Sequence, residues 1–173
     1  MSRPLRSLSR RRMPARGFTL IELMVTFALL AVMLVIAAPS FIAYQRGAEL
    51  TSTANSLVAA LSAARSEAMK RQLATFVMPV DNDWSKGWVV FVDVDGDLSQ
   101  SAGDVELLNQ AALPATVSVD INAEAAGFND TDKSLKYVMY NGAGFMRRMG
   151  GGFGPGSVDL VSVSGAKRRV IAE

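Results

Sequence analysis

One carboxylate, Glu22, stands near the head of an apolar run, Phe18 to Ala38, that holds no other ionisable side chain. As a helix rising about 1.5 Å per residue the run spans roughly 31 Å, about one hydrocarbon thickness. An unpaired carboxylate there costs roughly 2.5 kcal/mol or more, so its presence marks a function that must supply a cation. Residues 1–17, directly in front, carry six arginines (Arg3, Arg6, Arg10, Arg11, Arg12, Arg16), no acid, and end in Gly17. The positive-inside rule keeps such a leader in the cytoplasm. A cut after Gly17 would free the amine of Phe18 about one helical turn from Glu22. When similar helices pack side by side, that amine can neutralise a neighbour's Glu22, and an ion pair made between chains is an assembly signal.

The motif Gly17-Phe18-Thr19-Leu20-Ile21-Glu22 resembles the cleavage and methylation site of type IV pilins and type II secretion pseudopilins. The resemblance implies a prepilin peptidase that cuts after Gly17 and methylates the new amine of Phe18. It also implies subunit docking through Glu22 and a helix bend at Pro39. The expected setting is the bacterial inner membrane, crossed once with the N-terminus cytoplasmic and the C-terminal domain periplasmic, and then a pilus or pseudopilus. Expected partners are the peptidase, other pilins or pseudopilins, inner-membrane lipid and the assembly platform of the machine. Two blander readings fit part of the segment. One is a secretory signal peptide cut at Ile36-Ala37-Ala38, but an h-region normally spans about 7 to 15 residues and lacks a carboxylate. The other is a membrane tether unrelated to filaments, which would be indifferent to Glu22.

Composition agrees with a removable leader. The chain has 18 Lys plus Arg, 16 Asp plus Glu, a net charge of +2 and a pI near 9.1. Without the six leader arginines, 12 bases face 16 acids, so the basic pI belongs to the leader and is no nucleic-acid signature. Cysteine and histidine are both absent. That removes disulfides, thiol nucleophiles, imidazole bases and the usual zinc ligands, so the sequence reads as non-enzymatic and without a cofactor.

The elements that position these groups are a long helix and a β-rich region. Past Pro39 the residues Leu50, Ala54, Leu57, Leu61, Ala64 and Ala68 recur in steps of four and three, one apolar face of a helix that Pro39 or Gly47 can bend. From Thr75 the pattern turns β-like. Strands are predicted over 75–79, 88–92, 105–108, 116–121, 136–140, 158–163 and 168–172. The layout is α+β, with a leader (1–17), a membrane and assembly helix (18–38), an amphipathic helix half (39–74) and a globular β region (75–173). Gly87-Trp88-Val89-Val90-Phe91-Val92-Asp93 leading into Asp95-Gly96-Asp97, and Tyr140-Asn141-Gly142 before a Gly-rich stretch, resemble the GspH/FimT branch of minor pilins and pseudopilins. The resemblance implies a type IV pilin-like fold, a helix packed on antiparallel sheet.

Two further clusters carry possible chemistry. Asp93, Asp95, Asp97 and Asp104 gather carboxylates as a calcium loop would, although Gly96 falls at the fourth position and Leu98 at the sixth, where an EF-hand needs its glycine. Arg147, Arg148, Lys167, Arg168 and Arg169 would neutralise several phosphates if the closing strands set them on one face, with Phe145 or Phe153 free to stack on bases. FimT-type minor pilins are associated with DNA uptake through a C-terminal Gly-Arg-x-Arg motif, which Ala166-Lys167-Arg168-Arg169 matches loosely. The alternative is a charged edge strand protected from pairing. The glycines between 150 and 156 lack the Gly-Lys-Ser/Thr of a phosphate loop and read as a hairpin tip.

Overall fold

The first helix, α1 (Leu20–Arg71), runs 52 residues, through both Pro39 and Gly47, in the computed structural model of the chain. The described residues are 17–121, 128 and 135–172, so of the expected leader only Gly17 falls among them. The chain divides into two units, Met1–Ser40 and Phe41–Glu173. In the first unit every described residue is exposed, including the large apolar side chains from Phe18 to Ile36. This part of α1 is long and apolar enough to cross a membrane.

In the second unit the expected stripe is the buried face of α1: Leu50, Ala54, Leu57, Leu61, Ala64 and Ala68 are all covered, joined by Thr53 and Ala60. They pack against inward side chains of eight strands, β1 (Thr75–Pro79), β2 (Trp88–Val92), β3 (Val105–Gln110), β4 (Val117–Ile121), β5 (Val138–Tyr140), β6 (Met146–Arg147), β7 (Gly156–Ser162) and β8 (Lys167–Ala172). The architecture is α+β, one long helix on antiparallel sheet. The strands divide between two sheets, ordered β3-β2-β1-β5-β6 and β4-β7-β8. The chain therefore leaves the first sheet after β3, returns to it for β5 and β6, and leaves again. The helix stripe closes over both sheets, since Val77, Val90 and Val138 of one and Val158, Leu160 and Val170 of the other belong to the same core.

The first sheet is also covered on its far side. Phe76, Val89, Phe91, Tyr137 and Met139 form a second, smaller core there, with the Phe76 and Phe91 rings stacked at 5.2 Å. A strand buried on both faces shows no alternation, which is why Trp88 to Val92 is apolar throughout. At its entry, Gly87 holds φ 93°, and a Cβ there would stand 2.0 Å from the Gln110 carbonyl oxygen of the paired strand. Only glycine meets both demands. Between β1 and β2 the chain turns through Asp81 and Asn82, both at positive φ, closed by the Asp83 N–H donating to the Val80 carbonyl at 3.0 Å. Asp and Asn tolerate that left-handed conformation better than other non-glycine residues. Where β2 meets β3 the register slips between Val90 and Phe91, a bulge that lets Leu107 and Leu108 both reach the core.

Candidate functional site

At the head of α1, Thr19 precedes the first helical residue, and its hydroxyl accepts the Glu22 backbone N–H at 3.2 Å while its carbonyl accepts that of Leu23 at 3.2 Å. Thr19-x-x-Glu22 thus has the spacing of a capping box, with Glu22 in the first turn where the helix dipole favours an anion. The capping signal is present in the sequence and went unread there, because the cost of the charge in an apolar run drew the attention. Capping engages the backbone of Glu22. Its carboxylate is exposed and has no side-chain or terminal partner among the described residues. Gly17 and Phe18 lie outside the helix, and Phe18 is 78% exposed. A peptidase can reach a peptide bond that no helix holds.

The acidic turn is folded around itself. Oxygens of Asp93, Asp95 and Asp97 come within 4.8 Å of one another. Buried Asp93 accepts the N–H groups of Gly96 and Leu98, at 2.8 and 3.2 Å, and Asp97 accepts that of Ser99 at 2.8 Å. Asp104 accepts from Val94 and Ser101, at 2.9 and 2.7 Å. Burial pushes the Asp104 carboxyl up, but those N–H bonds and the Ser101 hydroxyl together outweigh it and hold the group below its usual range. The four carboxylates act on the described structure as hydrogen-bond acceptors that tie the turn between β2 and β3.

The cationic residues are parted by strand alternation. In β8, Val170 and Ala172 face the core, so Arg168 lies on their side and shares a surface hollow with Tyr44, Gly47 and Thr51 of α1. Lys167 and Arg169 take the other face. Arg169 is committed there, its guanidinium bound two-pronged to the buried Asp159 of β7 at 2.7 and 2.9 Å. Arg147 sits in β6 of the other sheet, its guanidinium carbon 4.7 Å from the Phe153 ring centre, and Arg148 follows it with a buried Nε that has no hydrogen-bond partner among the described residues. The single cationic face that phosphate binding would use is not formed by Lys167, Arg168 and Arg169, since neighbours in a strand point opposite ways.

The Arg169 hydrogen bonds, acting against burial, hold the Asp159 carboxyl below its ordinary value. A depressed carboxyl stabilises the fold at pH values above the unfolded pKa of about 4 and loses that contribution as pH falls through its folded value. The stability difference between the native chain and Asp159→Asn is therefore expected to be present at pH 7 and to shrink below about pH 4. Thermal melts at the two pH values check it, and a difference that stays constant with pH would rule the ion pair out as its cause.

Comparison with known proteins adds two family matches. The family described as type II transport protein GspH matches residues 53–172, and the prokaryotic N-terminal methylation motif matches residues 12–38. Among solved structures, the type IV minor pilin FimU of Pseudomonas aeruginosa is similar in one crystal form at 20% identity and TM-score 0.44, covering 75% of this chain and 92% of FimU. A second crystal form of FimU gives 19% identity and TM-score 0.40 over 71% of this chain and 92% of FimU. No curated protein sequence is significantly similar.

Proposed function

This chain belongs to the GspH family of type II transport proteins, and from that premise we propose that it is a minor pilin or pseudopilin, a non-enzymatic subunit that assembles through Glu22. The methylation-motif match implies a prepilin peptidase as processing partner. In this reading the enzyme cuts after Gly17, leaves a methylated Phe18 amine, and the mature chain waits in the inner membrane with its C-terminal domain in the periplasm. The assembly platform then moves it into a filament of the type II secretion or type IV pilus class.

The observation that carries the reading is the state of Glu22. Its backbone N–H is capped, its carboxylate is unpaired among the described residues, and the apolar side chains that follow it are exposed. Lipid can cover the apolar side chains but cannot neutralise the charge, whereas the amine of an adjacent subunit's Phe18 does so at the same depth. Enzymatic readings gain no support, since the sequence has no cysteine or histidine. Mass spectrometry of the chain isolated from native membranes tests the processing: the expected N-terminus is Phe18 with one added methyl group. A chain that begins at Met1 would leave the carboxylate without its counter-ion, and one that begins at Pro39 would lack Glu22 altogether; either result would end this reading.

A further inference from the structure

On the helix side of the second sheet, Val58, Leu61 and Arg65 of α1, Tyr140 of β5, and Val170 and Ala172 of β8 enclose a cleft of about 370 Å³. Its floor is aliphatic, and its side-chain donors are the Arg65 guanidinium and the Ser62 and Tyr140 hydroxyls. Tyr140 is only 3% exposed, yet its hydroxyl has no hydrogen-bond partner among the described residues. Arg65 and Tyr140 line the same cleft; burial, the larger effect, pushes the Tyr140 hydroxyl's pKa up, and the Arg65 charge pulls it back. Arg65 itself has no carboxylate partner among the described residues, while the neighbouring Glu67 is shared by Lys70 and Arg71. Its position is set by the turn after β5: Gly144, at φ 79°, leaves room for Met69 at 2.7 Å and for Arg65 Nε at 3.6 Å from where a Cβ would stand.

The fourth wall is a strand edge. β8 ends the order β4-β7-β8, so the N–H and C=O groups along its outer side pair with no strand among the described residues, and Val170 to Ala172 line the cleft at that edge. We propose that the cleft docks an extended acidic segment of a partner polypeptide, paired main chain to main chain with β8, its carboxylate bound by the Arg65 guanidinium and the Tyr140 hydroxyl. Strand addition supplies affinity through the backbone, and the charged pair selects an acidic side chain over its amide. A free small anion would use the two donors but leave the strand edge and the aliphatic floor unused. The inference rests on the geometry of this unit and does not need the filament reading.

The test uses the full-length chain in detergent micelles and two fluorescently tagged pentapeptides, acetyl-Thr-Val-Asp-Val-Thr-amide and its Asn counterpart, read by anisotropy. The Asp peptide is expected to bind about 10-fold or more tighter than the Asn peptide, the size of a charge-assisted hydrogen bond to a guanidinium. Arg65→Gln should bring the ratio to about one, and Tyr140→Phe should weaken the Asp peptide several-fold. Both variants should keep the native melting temperature, because Arg65 is exposed and the Tyr140 hydroxyl has no partner to lose. Equal affinity for the two peptides, or a preference that survives Arg65→Gln, overturns the carboxylate assignment. An Asp peptide that binds no more tightly than sodium acetate overturns the strand docking.

Discussion

Glu22→Gln is expected to reach the membrane at normal levels and to fall roughly 100-fold or more in recovery from sheared filaments, the scale on which one member of a buried ion pair loses its partner. The amide matters as a choice because Glu22 stands in two arrangements at once. As the third residue of α1, closing the capping box that Thr19 opens, it supports the helix start, with its own N–H bonded to the Thr19 hydroxyl at 3.2 Å. Glutamine serves that role about as well as glutamate, so this variant keeps the cap and removes only the charge. Glu22→Val removes the charge and also the side chain that could reach back to the cap residue, leaving only the backbone half of the box. If the charge is what docks the subunit, the two variants fail alike, and both insert into membrane at least as well as the native chain because a carboxylate opposes insertion. If instead the cap were the reason for the residue, Glu22→Gln would assemble normally and only Glu22→Val would fail. Quantitative blotting of membrane and filament fractions distinguishes the two, and normal recovery of Glu22→Gln would remove the ion pair from the mechanism.

How much of this could be read from the chain depends on the range of the interaction involved. The buried stripe of α1 follows from spacing alone, since Leu50 through Ala68 recur at the period of a helix and six of six face the core. β1 and β2 match the sequence prediction at both ends: β2 is an uninterrupted β-branched and aromatic run, and β1 opens on Thr75-Phe76-Val77 and ends at Pro79. Pairing was not legible. Nothing local in Val117 to Ile121 says that β4 will leave its predecessors and hydrogen-bond β7, some forty residues on. β6 has only two residues, Met146 and Arg147, inside a stretch whose glycines signal a loop, so no periodicity could announce it. The second small core around Phe76 and Phe91 was likewise hidden, because a strand buried on both sides looks the same as one buried on one side and merely apolar. At the candidate sites the same divide holds. The Thr19-to-Glu22 cap is a local pattern that the sequence displays, whereas the Arg169 bond to Asp159 and the approach of Arg65 to Tyr140 depend on which strands become neighbours.

Replacing Gly17 by a bulky residue such as Leu is expected to leave essentially all of the chain as uncut precursor in the membrane, with filament incorporation lost to the same degree as in Glu22→Gln. The position has space: a Cβ on Gly17 would meet nothing within 4 Å, and the residue lies ahead of the first turn of α1. The described fold gives no steric reason for glycine, so under the proposed processing any requirement for it would come from the peptidase that grips the scissile bond. An uncut chain keeps Phe18 as an internal amide, so no cation stands level with Glu22, and it keeps six leader arginines that bind it to the cytoplasmic face. Under the proposed assembly, loss of the amine and loss of the carboxylate break one and the same pair. Combining Gly17→Leu with Glu22→Gln should for that reason cost no more than either change alone, as expected for two residues that act on one interaction. Intact mass and filament recovery of the three variants read this directly. Cleavage that proceeds normally past Leu at position 17 would move the processing site elsewhere, and a double variant markedly worse than both singles would mean that the amine and Glu22 contribute separately.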